Sequence, residues 1–239
     1  ITNEAKLFFQ IVRAAGSSII IGITGTRGKS TTTALTAYIL KSQKRPVFMG
    51  GNIRIPMFTI LDSILRSTQS RRRPIVVLEL SSWHCEHLDE TTGGPDVAVV
   101  TNIMRDHLNR YRSMKDYAAA KERIVRFQTK EQIAVLNKNN AWTKKMARRA
   151  PGKVVWFGRL SDALQIPGVH NQENAAAAIV AVKAVVGRGP VPRRALKSFP
   201  GLPYRLELIR TVRGVKYVND TTATTPDATI AALHALSPH

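Results

Sequence analysis

Apolar residues in this chain fall in short continuous runs separated by longer segments with helical spacing. Runs rich in Val and Ile predict five strands, at residues 18–24, 75–80, 97–101, 133–136 and 154–157. Apolar positions repeating at three to four residues predict five helices, near residues 29–42, 57–66, 113–129, 141–149 and 171–186. Continuous rather than alternating apolar strands are buried on both faces. The pattern therefore predicts an α/β fold, with a mostly parallel sheet covered by helices on both faces.

The helical pattern stops at residues 199–203, which read Phe-Pro-Gly-Leu-Pro. Because Pro and Gly punctuate local structure, we place a domain boundary here, with one domain at residues 1–199 and a second beginning at residue 200. Residues 205–212 and 215–219 predict two short strands, and residues 226–236 predict a helix. About forty residues cannot bury a core of their own. We therefore expect residues 200–239 to be the beginning of a truncated second α/β domain, and the Ile at position 1 also suggests a fragment.

The chain is strongly basic, with 36 Lys and Arg against 16 Asp and Glu and a formal net charge of +20. Such a field attracts nucleotides, anionic sugars, RNA or acidic membranes without choosing among them. Aromatic residues make up only 6% and do not alternate with the basic ones as in RNA-recognition surfaces. A solvated basic surface is the favoured interpretation, and we predict no specific nucleic-acid partner.

A single cysteine, Cys85, excludes an internal disulfide and suits a reducing cytoplasm. No apolar run approaches the length of a membrane span. We expect a cytoplasmic monomer without a membrane span.

A phosphate-binding loop follows the first predicted strand. Residues 22–32 read Gly-Ile-Thr-Gly-Thr-Arg-Gly-Lys-Ser-Thr-Thr and lead into a predicted helix. Small residues let backbone N–H groups converge on phosphate oxygens, and the helix N-terminus favours the same anion. Lys29 would add a charge for the terminal phosphates, and the Ser30 hydroxyl would reach Mg²⁺. Ile23 stands where the strict pattern has Gly, so an ordinary Gly-rich turn is the alternative; we predict a variant ATP site.

Polar residues follow the other predicted strands where these end. Glu79 ends one strand, with Ser81 just beyond it, and Asn102, Asp106 and His107 follow the next. Ligands of parallel α/β sheets bind beyond the carboxyl ends of the strands, so these side chains are predicted to face one cleft. A carboxylate beside a phosphate loop is a natural Mg²⁺ ligand, and a buried salt bridge is the alternative for Glu79.

Several of these segments together resemble the Mur ligase family of ATP-dependent, amide-forming enzymes of peptidoglycan synthesis. The resemblance covers nearly the whole chain and rests on residues 24–32, 50–53 (Gly-Gly-Asn-Ile), 101–108, Tyr117 with Lys121, 170–174 (His-Asn-Gln-Glu-Asn), 201–207 and 219–220. Residues 79–86, Glu-Leu-Ser-Ser-Trp-His-Cys-Glu, are similar to the Glu-Leu-Ser-Ser-Phe-Gln-Leu-Glu segment of the member that adds D-glutamate. The substrates implied are UDP-N-acetylmuramoyl-L-alanine and D-glutamate, with ATP and two Mg²⁺ ions.

The resemblance also implies a mechanism and its residues. The γ-phosphoryl group of ATP passes to the substrate carboxylate, and the amine of D-glutamate then attacks the acyl phosphate. The catalytic residues implied are Lys29, Glu79, His107 and Lys121, and the metal ligands are Ser30, Glu79, His107 and Lys121, the lysine as a carbamate. The nucleotide-binding residues implied are Gly25, Thr26, Arg27, Gly28, Lys29, Ser30, Thr31, Thr32, Asn171, Asn174, Arg205 and Asp220. Asn52 and Ser81 are implied on the substrate side.

Each of these residues also has a structural interpretation. Lys121 would be a surface lysine beside Glu122, and His107 a structural histidine. Asp106 could cap a helix or orient the imidazole, and Asn171 could cap the helix it opens. Asn52 and Asp220 would be turn residues, and Arg205 a surface arginine.

The chain departs from the family pattern in several places. Arg27 replaces the usual Asn of the loop, Asn109 a frequent Asp, and Thr222 a lysine common in the D-glutamate-adding group. The family's amino-terminal uridine-diphosphate domain and most of its carboxy-terminal domain are absent, so we do not expect this chain to ligate by itself. Another amide ligase of the family, or a basic nucleotide- or RNA-binding module without catalysis, are the alternatives. The four catalytic residues together argue against a module, which would need only Lys29.

Overall fold

A six-stranded parallel sheet organises the protein. The computed structural model describes residues 2–16, 18–69, 72–161, 164–187, 189 and 192–236. The strands are β1 Ile19–Thr24, β2 Val47–Gly51, β3 Ile75–Glu79, β4 Val97–Val100, β5 Ile133–Asn137 and β6 Lys153–Phe157. They lie in the order β2-β3-β1-β4-β5-β6, so the chain passes from β1 to the edge strand β2, returns to β3 beside β1, and then continues outward through β4, β5 and β6 on the other side. The register aligns Ile23 of β1 with Glu79 of β3, and Glu79 with Gly51 of β2. The polar residues after these strands therefore meet at one edge.

Helices cover both faces of the sheet and form two hydrophobic cores. The helices are α1 Glu4–Ala14, α2 Lys29–Ser42, α3 Leu61–Ser67, α4 Ser82–Cys85, α5 Met114–Arg126, α6 Ala141–Ala147, α7 Val169–Val186 and α8 Arg193–Ser198. Helices α1, α3, α4, α5 and α6 supply one core, and α2, α7 and α8 the other. Strand β1 serves both cores, with Ile20 pointing to the first and Ile21 and Ile23 to the second. This two-sided burial explains its unbroken apolar sequence.

The α/β fold and all ten elements predicted for the sheet and its helices are confirmed, with bounds that differ by a few residues. The helix predicted at residues 57–66 is a 3₁₀ turn, Met57–Ile60, followed by α3. Four elements were not predicted: α1, β2, α4 and α8.

Beyond residue 200 the described chain, residues 201–236, lies against the phosphate loop, and we call this segment the hairpin unit. Strands β7 Glu207–Val212 and β8 Val215–Asn219 pair as an antiparallel hairpin, and helix α9 Pro226–Leu236 follows. The domain boundary at residues 199 and 200 stays a prediction. No helix in the described part of the chain is long and apolar enough to cross a membrane.

Candidate active site

The phosphate loop joins the end of β1 to the start of α2. Gly28 has φ +79° and precedes α2 without any side-chain cap, so the first N–H groups of the helix are open to a ligand. A Cβ at position 28 would lie 2.0 Å from Asn174 Oδ1, so no side chain fits there. The loop therefore needs glycine both for its left-handed backbone and for the close approach of α7.

Asn102, the second residue after β4, holds the loop in place. Its Oδ1 accepts from the Arg27 N–H at 2.9 Å, its Nδ2 donates to the Arg27 carbonyl at 3.2 Å, and its own carbonyl accepts from the Thr26 N–H at 2.8 Å. The neighbouring Thr101 hydroxyl donates to the same Arg27 carbonyl at 2.6 Å. The sequence predicted Asn102 for the cleft but not this role, which depends on a contact across 75 residues.

Lys29 lies at the start of α2, almost buried. Its Nζ donates to the carbonyl of Thr26 at 3.0 Å, which folds the side chain back over the loop. Burial lowers the pKa of Lys29, the negative charge of Glu79 raises it, and the positive charge of Arg205 lowers it further. A cation of this kind, fixed beside open N–H groups, suits the terminal phosphates of a nucleotide.

Glu79 ends β3 and is only 1% exposed. Its Oε1 accepts from Asn52 Nδ2 at 3.1 Å, while its Oε2 is buried without a hydrogen-bond partner. No ion pair to Glu79 occurs among the described residues, so the salt-bridge alternative is wrong there. Asn52 is more than a turn residue, because it orients this carboxylate. A buried oxygen without a hydrogen-bond partner, beside the phosphate loop, is suited to bind a cation.

Lys121, on α5, is 2% exposed, so its interpretation as a surface lysine is wrong. Its neighbour Glu122 pairs instead with Arg149 at 3.0 Å. The Lys121 Nζ lies 5.1 Å from the centre of the Tyr117 ring and donates to Thr24 Oγ1 at 3.4 Å. Burial first, and then the positive charge of Lys29, lower its pKa to about 7. A neutral amine at this position can react with CO₂.

His107 lies beside these groups in a left-handed conformation, with φ +52°. Asp106 Oδ1 accepts from the His107 N–H at 2.9 Å, and its Oδ2 lies 3.8 Å from His107 Nε2. The imidazole is 5.8 Å from the Tyr117 ring. Helix α5 is capped by Ser113, whose Oγ accepts from the Asp116 N–H at 3.2 Å. The capping alternative for Asp106 is therefore wrong, and the carboxylate contacts the histidine.

A cavity of about 500 Å³ lies between the phosphate loop, the start of α7 and α9. The nucleotide residues predicted outside the loop, Asn171, Asn174, Arg205 and Asp220, all line it. Asn174 Nδ2 donates to Asn171 Oδ1 at 3.1 Å, and Asn171 Nδ2 donates to the Pro167 carbonyl at 2.6 Å. Helix α7 begins at Val169 after Gly168, so Asn171 is not its cap. Both amides instead shape the cavity wall.

Arg205 and Asp220 connect the hairpin unit to this cavity. Arg205 Nη2 donates to Ser30 Oγ at 3.2 Å, which gives an exposed arginine a specific contact on the phosphate loop. Asp220 Oδ1 accepts from the Leu206 N–H at 3.1 Å, as expected of a turn aspartate, while still facing the cavity.

The chain is similar in sequence to known proteins. Residues 23–163 match the Mur ligase middle domain. The chain belongs to the Mur ligase family. It is 37% identical over 262 aligned residues to the UDP-N-acetylmuramoylalanine--D-glutamate ligase of Acetivibrio thermocellus, which covers 98% of this chain and 53% of that protein. It is 36% identical to the enzyme of that name from Roseiflexus sp., over 95% of this chain and 58% of that protein. The chain thus spans about half the length of these curated relatives.

Solved structures of Mur ligases have the same fold as this chain. A MurF from Acinetobacter baumannii superposes with a TM-score of 0.76 at 20% identity, over 97% of this chain and 57% of that one. The MurF ligase of Thermotoga maritima, solved in complex with ADP, gives a TM-score of 0.74 at 20% identity, over 99% of this chain and 61% of that one.

Three residues that were singled out by the resemblance to Mur ligases make specific hydrogen bonds in this chain. Ser81 caps α4, because its Oγ accepts from the His84 N–H at 3.2 Å, and its role toward substrate stays a prediction. Arg27, which replaces Asn, donates to Thr225 Oγ1 at 2.9 Å and so ties the loop to the hairpin unit. Thr222, which replaces Lys, donates to the Tyr204 carbonyl at 2.9 Å.

Proposed function

We propose that the complete protein is an ATP-dependent ligase that adds D-glutamate to UDP-N-acetylmuramoyl-L-alanine through an acyl phosphate. One observation carries the chemistry: the buried Glu79 and Lys121 and the partly buried Lys29 lie together beside an uncapped helix N-terminus, and one oxygen of the carboxylate has no partner. The choice of acceptor is supported by the curated relatives, which are named as D-glutamate ligases.

We assign the triphosphate of ATP to the loop and the nucleoside to the adjoining cavity. The loop residues concerned are Gly25, Thr26, Arg27, Gly28, Lys29, Ser30, Thr31 and Thr32. A cavity of about 500 Å³ is of a size that accommodates small-molecule ligands. Asn171 and Asn174 would hold the base, Asp220 the ribose hydroxyls, and Arg205 the phosphates.

We assign two magnesium ions to this edge of the sheet. Mg²⁺ is usually held by one or two protein oxygens, with water and substrate phosphates completing its shell. In the described part of the chain, no three or more His, Cys, Asp and Glu cluster in a way suited to a metal. We assign the unpaired Glu79 oxygen, the Ser30 hydroxyl, His107 and carbamylated Lys121 as ligands. When bound, the ions would neutralise charge on the transferring phosphoryl group.

The chain's own groups supply positioning and electrostatics. Open N–H groups of α2 and the Lys29 ammonium favour charge on the terminal phosphate as it moves to the substrate carboxylate. Asn52 keeps Glu79 oriented, and Asp106 restrains His107. Arg27 and Arg205 hold the hairpin unit over the loop, where it would limit access of water to the acyl phosphate.

The test is ATP-dependent phosphate release by the full-length protein with UDP-N-acetylmuramoyl-L-alanine and a panel of amino acids. Release that depends on D-glutamate supports the proposal, whereas dependence on another acceptor moves the protein to a sister ligase. Lys29→Ala should lower kcat at least 100-fold, because the terminal phosphate loses its principal cation. Lys41→Ala, an exposed lysine in the last turn of the same helix, is the matched control and should leave the rate unchanged. Near-normal turnover by Lys29→Ala would contradict the loop assignment.

A further inference from the structure

The buried amine of Lys121 has one hydrogen-bond partner in the described structure, the hydroxyl of Thr24. Thr24 is the last residue of β1 and is completely buried. Its hydroxyl donates its single proton to the carbonyl of Leu80 at 2.7 Å. The Cys85 sulfur is a second acceptor near this hydroxyl. Because the proton goes to one of these acceptors, the oxygen offers lone pairs to the Lys121 nitrogen, 3.4 Å away.

The Thr24 hydroxyl is held in this orientation from two sides. The Thr24 carbonyl accepts from the Thr101 N–H at 3.0 Å, which fixes the backbone of β1 against the residue after β4. The hydroxyl bond to Leu80 fixes the side chain against the residue after β3. The Thr24 hydroxyl oxygen therefore lies where β1, β3 and β4 end side by side, and these bonds limit its rotation.

The surroundings of Lys121 suit a neutral nitrogen better than an ammonium. An ammonium has three protons to donate, and one long hydrogen bond satisfies only one of them. The negative charges of Asp106 and Glu79 favour the ammonium, but neither carboxylate forms an ion pair with Lys121 among the described residues. The nearby Cys85 supplies no counter-charge, because burial raises the pKa of its thiol to about 11. A buried, poorly satisfied ammonium is costly, which favours the free amine.

Carbamylation changes what this nitrogen needs. The lone pair of the neutral amine forms an N–C bond to CO₂, one C=O π pair moves to oxygen, and one proton leaves the nitrogen for solvent. The product keeps a single N–H donor beside two carboxylate oxygens that only accept. Lone pairs of a committed hydroxyl attract that N–H and repel the oxygens.

We propose that Thr24 is a positioning residue that accepts the remaining N–H of carbamylated Lys121 and thereby turns both carbamate oxygens away from β1, toward the metal side of the site. This rests on the carbamylation assigned under the proposed function. Threonine is required here for its oxygen, and its bond to Leu80 makes that oxygen an acceptor only.

The experiment compares full-length wild type, Thr24→Val and Thr24→Ser by ¹³C NMR in ¹³C-bicarbonate, together with the Mg²⁺ dependence of D-glutamate-stimulated phosphate release. Valine keeps the shape and loses the oxygen, while serine keeps the oxygen. We expect about a tenfold loss of carbamate occupancy and about a tenfold higher Mg²⁺ requirement in Thr24→Val, as one buried donor becomes unsatisfied. Thr24→Ser should retain both properties within about twofold.

Thr33→Val is the matched control. Thr33 is also completely buried, but its hydroxyl has no hydrogen-bond partner, so the same substitution removes an oxygen that holds nothing. It should leave the carbamate signal and the Mg²⁺ requirement unchanged. If Thr24→Val does not fold, Thr24→Ala replaces it, with the same expected loss and with folding checked by thermal unfolding.

The possible results distinguish the role of Thr24 from the carbamylation of Lys121. A carbamate signal and Mg²⁺ requirement in Thr24→Val equal to those of wild type would overturn the role of Thr24 and leave carbamylation standing. Absence of the signal from wild type itself would overturn the carbamylation and, with it, the role of Thr24. Loss of the signal in Thr24→Ser would also contradict the proposal, because the hydroxyl is still present.

Discussion

Individual residues near the carboxyl ends of the strands are buried with incomplete polar contacts, which lowers the stability of the folded protein. Lys121 has no ion-pair partner in the part of the chain that the structure describes, and Glu79 keeps an unpaired oxygen. Groups like these are retained where a ligand completes them, because an unpaired buried polar atom is otherwise unfavourable. Stability and function therefore oppose each other at these two positions.

The cost at Lys121 gives a prediction about pH. Its folded pKa is lowered to about 7 from the ordinary lysine value of 10.5, so between these values the unfolded protein binds more protons than the folded one. Stability should therefore rise with pH across this window, and below pH 7 the full penalty of the buried ammonium remains. Lys121→Met should stabilise the protein most below pH 7, with the gain shrinking toward pH 10.

Urea unfolding of wild type and Lys121→Met in CO₂-free buffer at several pH values measures this difference. Lys115→Met, an exposed lysine on the same helix, is the control and should show no such pH dependence. A difference between Lys121→Met and wild type that stays constant from pH 6 to pH 10 would contradict the lowered pKa.

Gly28 gives a second prediction for a single residue. In Gly28→Ala the methyl group would meet Asn174 Oδ1 at 2.0 Å, at a residue with φ +79°. The loop must shift, so we expect nucleotide affinity to fall at least tenfold. Gly187 has a similar φ, +85°, but nothing within 4 Å of the added Cβ. Gly187→Ala therefore carries only the backbone strain, and titration calorimetry with ATP should find its affinity unchanged.

Among the strands, the four central ones were predicted from sequence, whereas of the two edge strands β6 was predicted and β2 was not. Strands β1, β3, β4 and β5 are almost wholly buried, so their Val and Ile runs are unmistakable. Edge strand β2 ends in two glycines and is only half-buried along most of its length, which weakens the pattern. Helix α4 has four residues, too few for any periodicity to show.

Helix α1 was missed although its signal is present. Asn3 caps it by accepting from the Lys6 N–H, and its apolar residues Ala5, Phe8, Phe9 and Val12 follow helical spacing. The site divides in a similar way. Motif residues such as Lys29 were predictable from the loop pattern, whereas Thr24 and Asn102 act through contacts 97 and 75 residues away, which local sequence does not encode.

Helix α1 gives the prediction at the scale of elements. Phe8 is completely buried and meets Phe58 edge to face, with ring centroids 6.1 Å apart. Phe8→Ala should destabilise the protein by about 3–5 kcal/mol, through lost burial and the cavity left behind. Leu7, its neighbour on the same helix, is 43% exposed, so Leu7→Ala should cost less than about 1 kcal/mol. Urea unfolding distinguishes them, and equal effects would mean that α1 is not docked as described.

At the scale of the whole molecule, a few polar contacts join the hairpin unit to the phosphate loop. Arg27 reaches Thr225 and Arg205 reaches Ser30, and the nucleotide cavity lies between the two parts. Most residues of β7 and β8 are exposed, so little apolar burial holds this unit in place. A ligand that contacts both sides should therefore contribute much of the stability of their association.

This arrangement predicts that a nonhydrolysable ATP analogue slows hydrogen exchange in β7, β8 and α9 more than in the central sheet. The sheet is already protected by burial, whereas the hairpin unit gains its restraint from the bound phosphates through Arg205. Arg205→Ala should remove most of that added protection and weaken binding about tenfold, because a charged hydrogen bond to phosphate is lost. Arg210→Ala, on the exposed face of β7, removes the same charge without touching the cavity and should behave as wild type. Equal losses in both variants would show that net positive charge, and not the placement of Arg205, holds the unit over the nucleotide.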